Sequence, residues 1–370
     1  MKIFIPKETT PGENRISMIP ALADKLVKLG ASLEIESSLG THLGFSDEAY
    51  TKVGCSLSKN RQESLSQADM VCRLRKPAVE EVSSLKKGAI HVSYLDPFNE
   101  KTLVGALASQ GVSAISMEMI PRSTRAQKMD SLSSQASLGG YVAVIVAAQR
   151  LPKIFPMMMT PAGTLAPAKV FIIGAGVAGL QAIATAKRMG ARVEAFDTRP
   201  VVEEQVKSLG GQFVKIDLGE TGQTAQGYAK ELTPEQLAKQ KEGMKKHCSQ
   251  ADVVITTAQI FGRKAPVLIT TDMIQAMKPG SVVIDMAVET GGNVEGSVKG
   301  EEVDVGGVKI VGIANLPGLV AQDASKMYAS NLYNLIQEFW DKTNKKFQLN
   351  LSDDILKSCV VCHEGKVLFG

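Results

Sequence analysis

The apolar run Val170-Phe-Ile-Ile173 leads directly into Gly174-Ala-Gly176-Val-Ala-Gly179, and a helical pattern follows over Val177 to Met189. In this arrangement the first glycine permits a tight turn. The second lets a pyrophosphate approach the backbone, and the third lets the helix pack on the sheet. The helix N-terminus then offers free N–H groups and the positive end of a dipole to an anion. The next strand pattern, Arg192 to Phe196, ends in Asp197, 23 residues after Gly174, where an acceptor for a ribose 2′-hydroxyl is expected. Strand, glycines, helix and acid coincide, so the segment reads as a dinucleotide site rather than an ordinary βα turn. Asp197 favours NAD(H), because a carboxylate repels the 2′-phosphate of NADP(H). Arg199 works the other way, since a nearby Arg can accommodate that phosphate.

Further strand patterns follow at Gln212 to Ile216, Val253 to Thr257, Val282 to Met286 and Lys309 to Ile313. With the first two they make six, the number of a doubly wound dinucleotide fold. The fourth ends at Ala258-Gln259, at the carboxyl edge. Gln259 there either touches the adenosine half of a ligand or is a solvated loop residue. Between the third strand and the next helix lies Leu218 to Glu231, with three glycines and Tyr228. The helix itself has a clear start: Thr233 as N-cap, Pro234 at N1 and Gln236 at N3. A loop of this length is either a lid over the cofactor or a flexible insertion.

The residues before this series also alternate strands and helices. Strands are expected at Lys2 to Ile5, Ser32 to Glu36, Met70 to Leu74, Ile90 to Leu95 and Val112 to Met117. Helices are expected at Ile19 to Leu29, Asp47 to Val53 and Asn99 to Ala108. The polar segment Ile120 to Asp130 breaks the rhythm and precedes a helix of about Ser133 to Arg150. After Asn315-Leu-Pro-Gly318 comes another helix, Ala324 to Trp340, placed to return to the first domain. The expected fold is therefore α/β, with two Rossmann-like, doubly wound parallel-sheet domains. The second, dinucleotide-binding domain (131–317) is inserted into the first (1–130 plus 318–370).

Composition bounds the function. The chain has 370 residues, 44% hydrophobic and 22% charged, and a net charge of +4. That balance suits a globular protein and is too mild to imply nucleic acid or anionic lipid as a partner, and aromatics at 5% argue against base stacking. The most membrane-like run, Val170 to Ala186, falls short of a span and contains the glycine turn. With no signal-peptide pattern at Met1 and five scattered cysteines, the expectation is a soluble cytoplasmic protein. Cys359-Val-Val-Cys362-His363 matches a haem-attachment motif in letters only, since that chemistry needs export and seven residues remain after it. The other histidines, His42, His91 and His247, have no paired spacing, so no metal site is expected.

Ile5-Pro-Lys-Glu8 and Glu13-Asn-Arg15 resemble the start of alanine dehydrogenases and of the NAD(H)-binding component of proton-translocating nicotinamide nucleotide transhydrogenase. Arg122 to Asp130, the Gly174 turn, Phe196-Asp-Thr-Arg199, Gln226 to Glu231 and Asp285 to Asn293 are similar to the transhydrogenase version. Alanine dehydrogenase holds pyruvate with an Arg and a Lys, here matched by Arg15 and Lys76. It also uses a His after a Tyr-Leu pair and an Asp before Gln-Gly-Gly. Here Tyr94-Leu95 is followed by Asp96, and Glu289 precedes Thr-Gly-Gly. Reducing an imine needs a proton donor of suitable pKa, which an imidazole supplies and a carboxylate at neutral pH does not. Hydride transfer between two nicotinamides needs none.

The resemblance implies an NAD(P) transhydrogenase of the Si-specific, proton-translocating type, with an alanine dehydrogenase-like amino-acid dehydrogenase as the alternative and a non-enzymatic NAD sensor as a remoter one. It implies catalytic roles for Arg122, Gln127 and Asp130 at the nicotinamide end. Ser123, Thr124, Arg125, Ser133, Val177, Thr198, Gly227, Tyr228 and Gln240 are implied as cofactor contacts, beside Gly174, Gly176, Gly179, Asp197, Arg199 and Gln259. NADP(H) would be bound by a partner subunit. The implied assembly is a homodimer, peripheral on the cytoplasmic face of the inner membrane, docked on a membrane proton-channel subunit and an NADP(H)-binding subunit.

Overall fold

The computed structural model describes residues 1–219, 221–222, 232–259 and 262–369. Among these residues the chain forms two compact units, Met1–Gln135 with Gly318–Gly370, and Ala136–Pro317. The boundary falls inside the helix Ser131–Arg150.

The first unit is built on β1 (Lys2–Ile5), β2 (Ser32–Glu36), β3 (Ser56–Ser58), β4 (Met70–Cys72), β5 (Ile90–Ser93) and β6 (Ser113–Ser116). These six are parallel and lie in the order β6-β5-β4-β1-β2-β3. That is the doubly wound order, with its reversal between β1 and β4. Alternation along β1 explains why the sheet has two cores. Ile3 and Ile5 face a cluster with Leu33, Leu26 and Leu332, while Phe4 faces another with Val71, Val104 and Val361. After the second unit the chain re-enters through the helix Ala321–Glu338, whose Tyr328, Leu332 and Leu335 complete the first of these clusters.

In the second unit a small hairpin, β7 (Met158–Thr160) with β8 (Gly163–Leu165), precedes β9 (Lys169–Ile173), β10 (Arg192–Phe196), β11 (Gln212–Phe213), β12 (Val253–Thr256), β13 (Val282–Asp285), β14 (Glu302–Val305) and β15 (Val308–Val311). The sheet order is β11-β10-β9-β12-β13-β15-β14. Strands β9 to β13 and β15 are parallel, and β14 is an antiparallel edge strand. The expected six strands are present, but the third is two residues long and a seventh was not foreseen. Its signal was available: Gly306 and Gly307, both at positive φ, form a two-residue turn between alternating Val303/Val305 and Val308/Ile310.

Back in the first unit, a small hairpin, β16 (Trp340–Asp341) with β17 (Lys346–Phe347), leads to β18 (Val360–His363) and β19 (Lys366–Val367), which extend the β6 edge antiparallel. This places Cys359 and Cys362 in the interior and His363 Nδ1 against the Ser113 hydroxyl at 2.8 Å. Among the described residues, one helix, Ser131–Arg150, is long and apolar enough to cross a membrane, and half of it is buried inside the chain. The sequence pointed instead to Val170–Ala186, which is β9, the glycine turn and part of a helix.

Candidate functional site

The second unit's strand order reverses between β9 and β12, and ligands of open α/β sheets lie in the crevice at such a point. The Gly174 turn closes it on one side. Gly174 has φ +97°, and a Cβ there would lie 2.5 Å from Thr257 Oγ1. A Cβ on Gly179 would lie 1.8 Å from the Gly174 carbonyl oxygen. Both glycines are therefore demanded by the chain's own packing. Gly176 differs: no described atom lies within 4 Å of its Cβ position. The space above it is what a pyrophosphate needs, and the helix Val177–Arg188 starts there without a side-chain cap on its N–H groups. Val177 begins that helix, partly exposed.

Asp197 follows β10. Its carboxylate accepts the Ala175 N–H at 2.7 Å and the Arg199 N–H at 2.9 Å. It also accepts Arg199 Nε at 2.9 Å and Nη2 at 2.7 Å. Thr198 lies between them, half-buried.

Gln259, exposed at the carboxyl end of β12, donates to the Met286 carbonyl at 3.2 Å. Gln240 lies buried on the helix Pro234–Gln250, its Nε2 3.9 Å from Met244 Sδ. Gly227, Tyr228 and most of the expected lid lie outside the described residues. A groove of about 470 Å³ beside β11, lined by Glu203, Lys207 and His247 among others, contains none of the expected residues.

Three residues that tie this edge together escaped sequence reasoning. Thr257 Oγ1 donates to the Gly174 carbonyl at 3.0 Å and so pins the turn. Buried Asp285 accepts the Ala287 and Asn293 N–H groups at 3.0 and 3.1 Å. Asn293 Nδ2 in turn donates to the carbonyls of Ala258 and Pro266. A hydroxyl, a carboxylate and an amide at the carboxyl ends of strands were the available signal.

The bridge segment belongs to the first unit. Arg122, Ser123, Thr124 and Gln127 are exposed, and Gln127 opens a 3-10 turn, Gln127–Met129. Asp130 accepts the Ser133 N–H at 2.9 Å and the Ser133 hydroxyl at 2.5 Å, so the two residues cap the helix Ser131–Arg150. Arg125 pairs with Asp353 at 2.5 Å and lies 5.9 Å from the Phe339 ring centroid, which engages its guanidinium in the chain's own fold.

The first unit has its own crevice between β1 and β4, and the chain fills it. Glu8 accepts the Leu74 and Arg75 N–H groups at 2.6 and 3.0 Å, and burial raises its pKa. Buried Glu13 takes Arg15 Nη2 at 2.6 Å and Arg75 Nε at 2.7 Å. Burial alone would raise its pKa, but the Arg15 hydrogen bond and the two guanidinium charges hold it at about 2. Arg75, rather than Lys76, is thus the cation beside Arg15; Lys76 turns away to Glu100 at 2.6 Å. Asp96, at φ 51°, donates its N–H to buried Glu118 at 2.5 Å and accepts from Asn99 Nδ2 at 2.8 Å.

Comparison with known proteins agrees with this geometry. Two family models match: alanine dehydrogenase/PNT N-terminal domain over residues 4–139 and C-terminal domain over 143–370. The chain is 45% identical to the first portion of NAD(P) transhydrogenase subunit alpha of Rhodospirillum rubrum, a separate polypeptide, over all of this chain and 98% of that one. It is 28% identical to alanine dehydrogenase of Bacillus subtilis, over 88% of this chain and 82% of that one. The crystal structure of transhydrogenase from Sinorhizobium meliloti superposes with a TM-score of 0.89 at 41% identity, covering 99% of this chain and all of that one.

Proposed function

The chain belongs to the alanine dehydrogenase/PNT family, with the transhydrogenase alpha subunits as its relatives, and from that premise we propose that it is the NAD(H)-binding component of a proton-translocating transhydrogenase. The observation that carries this over an amino-acid dehydrogenase is position 96. A carboxylate stands there, bound to Asn99, where the rival chemistry needs an imidazole to give a proton. The Glu13 clamp on Arg15 and Arg75 supports the same reading, since it engages the cations a substrate carboxylate would use.

The residues present fit the cofactor. The open space at Gly176 and the uncapped N–H groups after it suit a pyrophosphate, and Asp197 suits an adenosine ribose. When bound, the dihydronicotinamide supplies a hydride from C4. We assign the protein's part to holding and orienting. Arg122, Gln127 and Asp130 with Ser133 position the nicotinamide end, and no side chain donates a proton. NADP(H) is held by a partner subunit, and the protonmotive coupling resides in membrane partners, with this chain peripheral on the cytoplasmic side. A homodimer is supported by the hairpin β7–β8, whose six residues are all exposed and uncharged.

The test mixes the chain with an NADP(H)-binding subunit and C4-deuterated NADH. Deuterium is expected in NADPH and not in water, and Gln127→Asn should slow the transfer at least tenfold with NADH affinity little changed. Deuterium in solvent, or turnover of alanine by the chain alone, sinks the reading.

A further inference from the structure

We propose that Arg199 is a latch on the ribose-recognition carboxylate. Its guanidinium takes the place of the ribose diol on Asp197, and a dinucleotide binds by displacing it. This inference rests on the dinucleotide reading above and adds a determinant of affinity and selectivity.

An ionised carboxylate offers about four lone-pair positions. On Asp197 the chain's own donors fill four. Two are backbone N–H groups, Ala175 at 2.7 Å and Arg199 at 2.9 Å, fixed by the glycine turn and the end of β10. The other two are Arg199 Nε at 2.9 Å and Nη2 at 2.7 Å. The pair is well sheltered, with side chains 6% exposed for Asp197 and 15% for Arg199.

The two sets of donors differ in kind. The backbone pair cannot leave without undoing the turn, so it holds the carboxylate in one orientation. The guanidinium pair can leave by side-chain rotation. A guanidinium edge presents two parallel N–H donors to a carboxylate, and a vicinal ribose diol presents two O–H donors. Arg199 is thus a chain-borne competitor for the same acceptor atoms. A ligand competing with such a contact shows its intrinsic affinity reduced by the fraction of molecules with the latch open. Weak binding with fast release is the consequence.

Selectivity is coupled to the same contact. With Arg199 on Asp197, the pair presents little net charge to an approaching nucleotide. Without it, the carboxylate charge is uncompensated and repels a 2′-phosphate more strongly. Removing the latch should therefore move the two nucleotides in opposite directions. Loss of a merely structural residue, or of a direct phosphate contact, would weaken both.

The experiment is calorimetric titration of the full chain with NADH and with NADPH, in wild type, Arg199→Ala and Arg199→Gln. Gln keeps part of the stem and serves if the Ala variant folds poorly. The latch predicts NADH binding about tenfold tighter in both variants, NADPH binding weaker, and an unchanged circular dichroism spectrum. Folded variants that bind NADH no tighter than wild type overturn the latch and leave the dinucleotide reading standing. A wild-type chain that binds no NADH removes the dinucleotide reading, and the latch with it.

Discussion

Gly176 and Gly179 look alike in the sequence and do opposite things in the structure. Gly179 is needed by the protein, because a methyl group there meets a backbone oxygen at 1.8 Å, and backbone cannot swing aside. Gly176 is open, so a methyl group there meets no described atom of the chain and only takes space from a ligand. Gly179→Ala should lower the unfolding free energy by about 3 kcal/mol, at the severe end of overpacking. Gly176→Ala should leave the melting temperature within about 2 °C and weaken NADH binding at least tenfold. Thermal melts and titration of both variants check this. A Gly176→Ala chain that melts early and binds normally would show the roles reversed. The spacing of the motif announced the turn, yet only the built backbone shows which glycine serves the fold and which serves the ligand. The occupation of Asp197 by Arg199 was equally hidden: sequence placed them two apart, and a rotamer decided that they touch.

At the scale of elements, what was legible in the sequence was whatever is decided by near neighbours. Thr233, Pro234 and Gln236 form the expected capping box, because N-cap chemistry is local. Strand β14 escaped because Glu302 to Val305 is polar on its exposed face and only its Gly-Gly turn marks it. Choosing Lys76 over Arg75 was a one-residue error, and in extended chain one residue reverses the side a side chain faces. The consequence is physical: Glu13 ties the loop after β1 to the loop after β4 through Arg15 and Arg75. Its folded-state pKa of about 2 lies below the ordinary 4.5, so the stability it contributes is present above about pH 4.5 and is lost as pH falls toward 2. Glu8 and Glu118, raised by burial, run the other way, so the useful quantity is a difference between chains. The gap in unfolding free energy between wild type and Glu13→Gln should shrink by about 2 kcal/mol between pH 5 and pH 3. Urea unfolding at the two pH values measures it. A gap that stays constant would mean that the loops are joined by something other than this charge.

For the whole molecule, the open question is what meets the hairpin β7–β8. Met158, Met159 and Leu165 are 45%, 72% and 54% exposed, with Met157 beside them at 59%. An isolated two-stranded hairpin is marginal in water, and one that buries nothing on its own chain has little to hold it. Thioether and aliphatic side chains clustered at a tip are costly to leave in water and adapt readily to a partner's surface. From Met157 to Leu165 the hairpin carries no charge, so nothing in it would steer or select a charged partner. That composition fits a permanent, apolar interface, as between two copies of one chain, better than a transient one. We therefore expect wild type to sediment at twice its 39.5 kDa. Met159→Asp together with Leu165→Asp should release a monomer, because two buried carboxylates across an apolar contact have no partner. The far-ultraviolet spectrum should not change, since these side chains contribute nothing to either described core. Wild type sedimenting as a monomer would remove the homodimer, and a variant that stays dimeric would move its interface to another face of the chain.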